Sequence, residues 1–223
     1  MPVWMLELML APEVIVIDYG LGNLLSVQRG LEYCGAKVIF TANPDKILTA
    51  NLVVLPGVGS FSQAMQTLNS LGLVAVIHEL AKRKTPLLGI CLGMQLLFEE
   101  SEEFGLTDGL GLIPGRVIAI PNKTILGMSQ KIPHIGWNAL LTSNEFNSWK
   151  RSLLKDNCPG ENAYFVHSFM AVPSNPLDRM ADCLYGGHKI TAMVGRDQIT
   201  GCQFHPEKSG EVGLKILRNF ILQ

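Results

Sequence analysis

The sequence predicts an α/β chain: a doubly wound, mostly parallel central sheet flanked by helices, with an additional smaller β region. Three observations predict it. In the first hundred residues, β-branched apolar runs alternate with stretches of helical periodicity. That alternation is the pattern of a parallel sheet wrapped by helices. Two of the apolar runs lead straight into turns that contain glycine. After Gly105 the texture changes to short β segments that read as partly antiparallel.

The elements follow in order. VIVIDYG (14–20) is a β-branched run that reads as a buried parallel strand. Leu24, Val27 and Leu31 then mark one face of a helix, with Gly35 as its stop. AKVIF suggests a second strand, and NLVVLPGVGSF (51–61) a third that runs into a glycine-rich turn. Helical material extends to Lys84, broken near Gly72. TPLLGI (85–90) is a fourth strand, and CLGMQLLFEE (91–100) opens a helix. The later β pieces are GRVIAI (115–120), HIGWNAL (134–140), AYFVHSFMAV (163–172), KITAMVG (189–195) and ITGCQFHP (199–206). GEVGLKILRNFIL closes the chain as a helix. Ligands of such sheets bind beyond the carboxyl ends of the strands. PGVG and Cys91 both fall at such ends.

Composition narrows the class. With 223 residues and 48% hydrophobic content, the chain can bury one large core. We read residues 1–13 as an N-terminal extension and 14–223 as one domain. A net charge of -1 offers no basic footprint for nucleic acid or a membrane surface. The first ten residues are apolar but contain Glu7 and lack a basic lead, so they do not read as a signal peptide. No apolar run reaches the roughly 20 residues a membrane span needs. Five cysteines without a C-x-x-C pair point to a reducing, cytoplasmic setting and to no cysteine-based metal site.

Two short motifs carry chemistry. Gly89-Ile90-Cys91-Leu92-Gly93 is a G-x-C-x-G form of the strand–turn–helix elbow that exposes a nucleophile. A helix starting there would favour thiolate at Cys91. The spacing alone fits a buried cysteine between close-packed glycines equally well. His205-Pro206-Glu207 ends a predicted strand, and residues two apart in a strand face the same way. Alone, it reads as a surface loop with a capping acid. Beside a cysteine elbow, it reads as a base with its orienting carboxylate. Pro56-Gly57-Val58-Gly59 serves either as an ordinary turn or as a source of backbone N–H groups for an oxyanion. Gly20-Leu21-Gly22-Asn23 lacks the third glycine of a dinucleotide fingerprint, because position 25 is leucine. No cofactor is expected. His167 fits core packing or a substrate contact. His78 reads as solvated, and His134 and His188 show no partner in the sequence. Trp137 alone reads as core.

These blocks resemble the class I (triad) glutamine amidotransferases. More narrowly, DYGLGNL (18–24), PGVGSF (56–61), CLGMQLLFEESEE (91–103), PHIGWN (133–138), YFVHSF (164–169) and QFHPEKS (203–209) resemble the glutaminase subunits of imidazole glycerol phosphate synthases. The resemblance implies that Cys91 attacks the side-chain amide of glutamine, His205 relays protons and Glu207 orients it. It implies an oxyanion hole from Gly57, Val58, Gly59 and Leu92, where one donor contributes about 3–4 kcal/mol. Gln95 and Glu103 match substrate-binding positions. His167, Ser168 and Phe169 match a segment whose backbone holds substrate, with Phe169 where the family often has tyrosine. Ammonia would pass to a separate (β/α)8-barrel synthase (cyclase) subunit in a heterodimer serving histidine biosynthesis. Trp137, Asn138, Tyr164 and Lys208 would lie at or near that interface.

Three other readings share these motifs. Glutaminase subunits of anthranilate or aminodeoxychorismate synthase would use the same triad, but DYGLGNL and PHIGWN count against them. A cysteine peptidase-like hydrolase would not need Gln95. A non-catalytic interaction protein would not need Cys91, His205 and Glu207 intact.

Overall fold

The computed structural model describes residues 11–143 and 148–223. Most of the expected extension, residues 1–10, lies outside that range. The first strand begins one residue before the expected boundary. It is β1 (Glu13–Ile17), followed by α1 (Leu24–Tyr33), β2 (Lys37–Thr41), α2 (Pro44–Leu48) and β3 (Val53–Gly57). Next come α3 (Phe61–Ser70), α4 (Leu73–Lys82), β4 (Leu87–Cys91) and α5 (Leu92–Leu96). The second half holds β5 (Phe98–Ser101), β6 (Thr107–Asp108), β7 (Ile113–Ala119), β8 (His134–Ala139) and β9 (Leu141–Thr142). It continues with β10 (Asn162–His167), β11 (Phe169–Pro173), β12 (Arg179–Tyr185), β13 (His188–Arg196), β14 (Ile199–Cys202) and α6 (Gly210–Ile221).

The main sheet has the order β2-β1-β3-β4-β14-β13-β12-β9. Its first five strands pair in parallel and the last three antiparallel. Alternating residues of β1 feed two separate cores. Val14 and Val16 pack with Val27 and Leu31 of α1 and with Ile216, Leu217 and Phe220 of α6. Ile15 and Ile17 pack with Phe61, Leu68, Ile77 and Leu80 of α3 and α4. Helices therefore cover both faces, as a doubly wound sheet requires. The smaller β region is a four-stranded sheet, β11-β7-β5-β6, and a β8–β10 ladder.

Two expectations need correction here, and one strand went unannounced. The helix opening at Cys91 ends at Leu96, and Phe98–Ser101 is a strand. Segment 110–113 captures the carbonyls that would have continued the helix: Leu110 N–H donates to Leu96, and Leu112 and Ile113 N–H donate to Leu97. The single strand expected over 163–172 is two strands in different sheets, β10 paired with β8 and β11 with β7. Strand β12 carries no alternating pattern that would announce it. Its buried Asp182 is instead neutralised by Arg179.

One close approach fixes the centre of the fold. A methyl group at Gly93 would lie 1.8 Å from the Leu55 carbonyl oxygen. Only glycine lets α5 rest on β3 at that distance. Gly93→Ala should therefore destabilise the protein by about 1–3 kcal/mol or more, the usual effect of overpacking. For a chain of this size that lowers the thermal midpoint by roughly 2–4 °C per kcal/mol. An unchanged midpoint would show that the two backbones separate freely.

Candidate active site

Cys91 is the last residue of β4 and stands just before α5. Its backbone adopts φ 55° and ψ -110°, a conformation L-residues seldom adopt. The flanking packing holds it there, and the side chain is turned into a cavity of about 320 Å³. The helix behind it has five residues. Cys91 stands at the N-cap of that short helix, and its side chain makes no capping hydrogen bond there.

The cavity brings together most of the residues expected from the sequence. Val58, Gly59, Leu92, Gln95, Glu103, His167, Ser168, Phe169 and His205 all line it with Cys91. Gly57 lies one layer behind, opposite Cys91 in the β3–β4 ladder. Tyr19 was not singled out from the sequence. Its hydroxyl donates to the Pro56 carbonyl at 2.9 Å and pins the start of the PGVG turn. Burial raises the Tyr19 phenol well above its ordinary value, which keeps it a donor.

His205 and Glu207 meet as expected, but by a different local route. β14 ends at Cys202, and Pro206–Lys208 form a 3-10 turn rather than extended strand. The turn folds Glu207 back, and its Oε1 lies 2.8 Å from His205 Nδ1. The Glu207 side chain is fully buried. Its Cβ packs under Gly30 of α1, where a methyl group would come within 3.2 Å. Oε2 has no partner among the described residues, so the charge of Glu207 is answered mainly by His205. Burial alone would lower the His205 pKa, but hydrogen bonds with Cys91 and Glu207 override it and raise the value to about 10. The imidazole is thereby held protonated beside the sulfur at neutral pH.

A second polar cluster sits on the opposite wall. Gln95 Nε2 donates to the Phe169 carbonyl at 3.0 Å and to Gln203 Oε1 at 2.9 Å. Gln203 Nε2 lies 3.8 Å from Cys91 Sγ. Glu103 Oε2 accepts the Phe61 N–H at 2.6 Å, which caps α3 and aims the carboxyl along the cavity rim.

His134 and His188 do have partners, contrary to expectation. His188 Nε2 contacts the Lys123 carbonyl at 2.8 Å. His134 is buried, with its ring stacked against Tyr185 and Phe165 at 4.2 and 5.0 Å. The Phe169 carbonyl can only accept, so His167 Nδ1, 2.8 Å away, must carry a proton. His167 Nε2 then accepts from His134 Nδ1 at 3.0 Å, and His134 Nε2 accepts from Asn138 Nδ2 at 3.3 Å. Every link is satisfied with both rings neutral. Burial lowers the pKa of both rings, in agreement. His167 thus serves both functions considered for it: it lines the cavity and belongs to the core.

Of the four expected interface residues, Trp137 and Tyr164 pair across β8 and β10 on one face of the ladder, whereas Asn138 turns its side chain to the other face, toward His134. Trp137 is 59% exposed and meets Tyr164 edge-on at 5.9 Å. Lys208 is exposed. Asn138 is half-buried and its amide also donates to the Leu184 carbonyl at 2.7 Å. Among the described residues no cluster of histidine, cysteine and carboxylate side chains is arranged to hold a metal ion. All five cysteines are free, and no described helix is long and apolar enough to cross a membrane.

Residues 15–223 match the family model described as "Glutamine amidotransferase class-I", and the chain belongs to that family. It is an enzyme of the glutaminase type. Within the family it is 48% identical over 208 residues to "Imidazole glycerol phosphate synthase subunit HisH 1" of Legionella pneumophila (strain Lens). That match covers 93% of this chain and 98% of the relative. The subunit HisH of Geobacillus sp. (strain WCH70) is 46% identical over 205 residues, covering 92% and 94%. The solved structure of PurLQS from Thermotoga maritima shares the fold with a TM-score of 0.71 at 19% identity, over 95% of this chain and 98% of that one.

The neutral histidine pair has a consequence for stability. In the unfolded chain these rings titrate near the ordinary 6.5, whereas in the fold they resist protonation. Their contribution is therefore complete above 6.5 and lost as pH falls below it. His205 has the opposite sign and contributes fully below 6.5. The thermal midpoint should fall between about pH 6.5 and pH 4, and less steeply in His167→Gln. Equal slopes in the two proteins would mean that His167 is charged in the fold.

Proposed function

We propose that this chain is the glutaminase subunit of an imidazole glycerol phosphate synthase. The observation that carries the reading is the meeting of Cys91 and His205 at one cavity, with Glu207 hydrogen-bonded to the far side of the imidazole. The relatives named above, matched over nearly their full length, supply the particular reaction.

The proposed chemistry follows from the geometry. Glutamine enters with its α-ammonium toward Glu103 and its side-chain amide toward Cys91. The Cys91 sulfur attacks the amide carbon, and the carbonyl electron pair moves onto oxygen. Backbone N–H groups of the Gly57-Val58-Gly59 turn and Leu92 stabilise that oxyanion. His205 gives its proton to the departing nitrogen, and ammonia leaves a glutamyl thioester. The now neutral His205 takes a proton from water as the water attacks the thioester. Glutamate departs and the thiolate with its imidazolium is restored. Glu207 holds the ring in one orientation throughout. The backbone of 167–169 holds the substrate's far end, with Ser168 and Phe169 at the break between β10 and β11.

Ammonia then serves a synthase partner. In this reading the partner is a (β/α)8-barrel subunit, joined as a heterodimer over the face that carries Trp137, Tyr164 and Lys208. Five free cysteines are consistent with a cytoplasmic setting. Residues 14–223 act as one catalytic domain.

The central test is co-purification with the barrel subunit, followed by glutamine hydrolysis with and without its ligand. Activity should be low alone and rise strongly in the complex. Cys91→Ala should abolish glutamine-dependent synthesis and spare synthesis from added ammonia; loss of both would make Cys91 structural. A second test concerns pH. Removing the Glu207 charge should weaken the hold on the His205 proton, so the alkaline limb of kcat/KM should move toward neutrality in Glu207→Gln. An unmoved limb would remove Glu207 from the orienting role.

A further inference from the structure

Gln203 is a fully buried amide that the proposed chemistry does not use. A buried amide without hydrogen bonds is costly, and this one spends both ends on the cavity wall. Its backbone N–H is fixed to the Ala192 carbonyl of β13 at 2.9 Å. Its side chain reaches Gln95 with the oxygen and Cys91 with the nitrogen.

The direction of that chain is determined. The Phe169 carbonyl can only accept, so Gln95 must turn its NH2 toward it. The second hydrogen of the same NH2 points to Gln203, which must therefore present Oε1. The Gln203 NH2 is then left facing Sγ. The separation of 3.8 Å is long for oxygen but within reach of the larger sulfur atom. A backbone carbonyl thus dictates that Gln203 offers the sulfur a donor, on a side of Sγ other than the Val166 carbonyl at 3.9 Å. Both Gln95 hydrogens are used, so only its carbonyl oxygen remains for a ligand in the cavity. That oxygen suits a donor on the bound molecule.

We propose that Gln203 is a positioning residue: it holds the Cys91 sulfur by a donated hydrogen bond and locks Gln95 with its carbonyl toward the substrate. The proposal rests on the reading of Cys91 as the glutaminase nucleophile. Gln203 carries two effects, one at each end of its side chain, and they are separable. The donor end acts on the reactivity of Sγ. The acceptor end acts on substrate binding through Gln95.

The experiment compares Gln203→Met and Gln203→Glu with the parent, as full chains and in the synthase complex. Met keeps the volume and loses both ends. Glu keeps an acceptor for Gln95 and removes the amide donor from Sγ. Alkylation of Cys91 by iodoacetamide, followed by mass spectrometry of its peptide, reads the sulfur directly. Glutamine kcat and KM read the two ends, and thermal midpoints read packing. Both variants should alkylate Cys91 more slowly and lose kcat by about 10- to 100-fold, the effect of one hydrogen bond to a charged group. KM should rise in Gln203→Met and stay near the parent value in Gln203→Glu. Unchanged alkylation in both variants, with kcat following only the thermal midpoint, assigns Gln203 to packing and overturns the proposal. If Cys91→Ala keeps its glutaminase activity, the nucleophile reading itself fails instead.

Discussion

The contact between Gly93 and the Leu55 carbonyl sets the position of everything else in the site. It seats α5 on β3, and Cys91 is the hinge between β4 and α5. Because β3 and β4 are paired in register, Gly57 is drawn level with Cys91. A turn from one strand and a nucleophile from the next are thereby brought to the same sheet edge. The strained backbone at Cys91 is tolerated because the strand before it and the helix after it are both buried. Strain of this kind turns the sulfur out of the core and toward the cavity.

The two walls of the cavity are built on different principles. One wall is ionic. Glu207 is buried with Oε2 unpartnered among the described residues, which favours a charged His205. The other wall is neutral and directional. The Phe169 carbonyl accepts from both His167 and Gln95, and its inability to donate orients each side chain beyond it. From that single oxygen one branch runs through His167 and His134 to Asn138, and the other runs through Gln95 and Gln203 to Cys91. A continuous set of hydrogen bonds therefore runs from Asn138, on the face of β8 turned away from Trp137, to the nucleophile.

The break at Ser168 joins the halves of the molecule. One apolar run enters the two-stranded ladder as β10 and leaves in the four-stranded sheet as β11. The chain must cross the cavity mouth to do so, and the Ser168 carbonyl accepts the Ile120 N–H there. The smaller β region is thus more than an appendage. It supplies the wall that faces the nucleophile.

The sequence by itself determined the features that are local. Alternation of β-branched runs with helical faces gave the doubly wound sheet, since each period follows from the geometry of its own element. Glycines around Cys91 announced the elbow, and the spacing of His205 and Glu207 announced their pairing, although a 3-10 turn rather than a strand brings them together. The tertiary structure decided what depends on register between distant strands. His134 meets His167 across 33 residues, Gln95 meets Gln203 across 108, and Gln203 meets Cys91 across 112. No spacing rule connects such positions. The opening between Leu97 and Ile113 likewise ended a helix that propensity would have continued, because carbonyls captured by another segment cannot also serve the helix. Cys91 was therefore legible as a reactive residue from its own few neighbours. The hydrogen-bonding groups around its sulfur come from Val166, Gln203 and His205, distant positions that only folding places beside it.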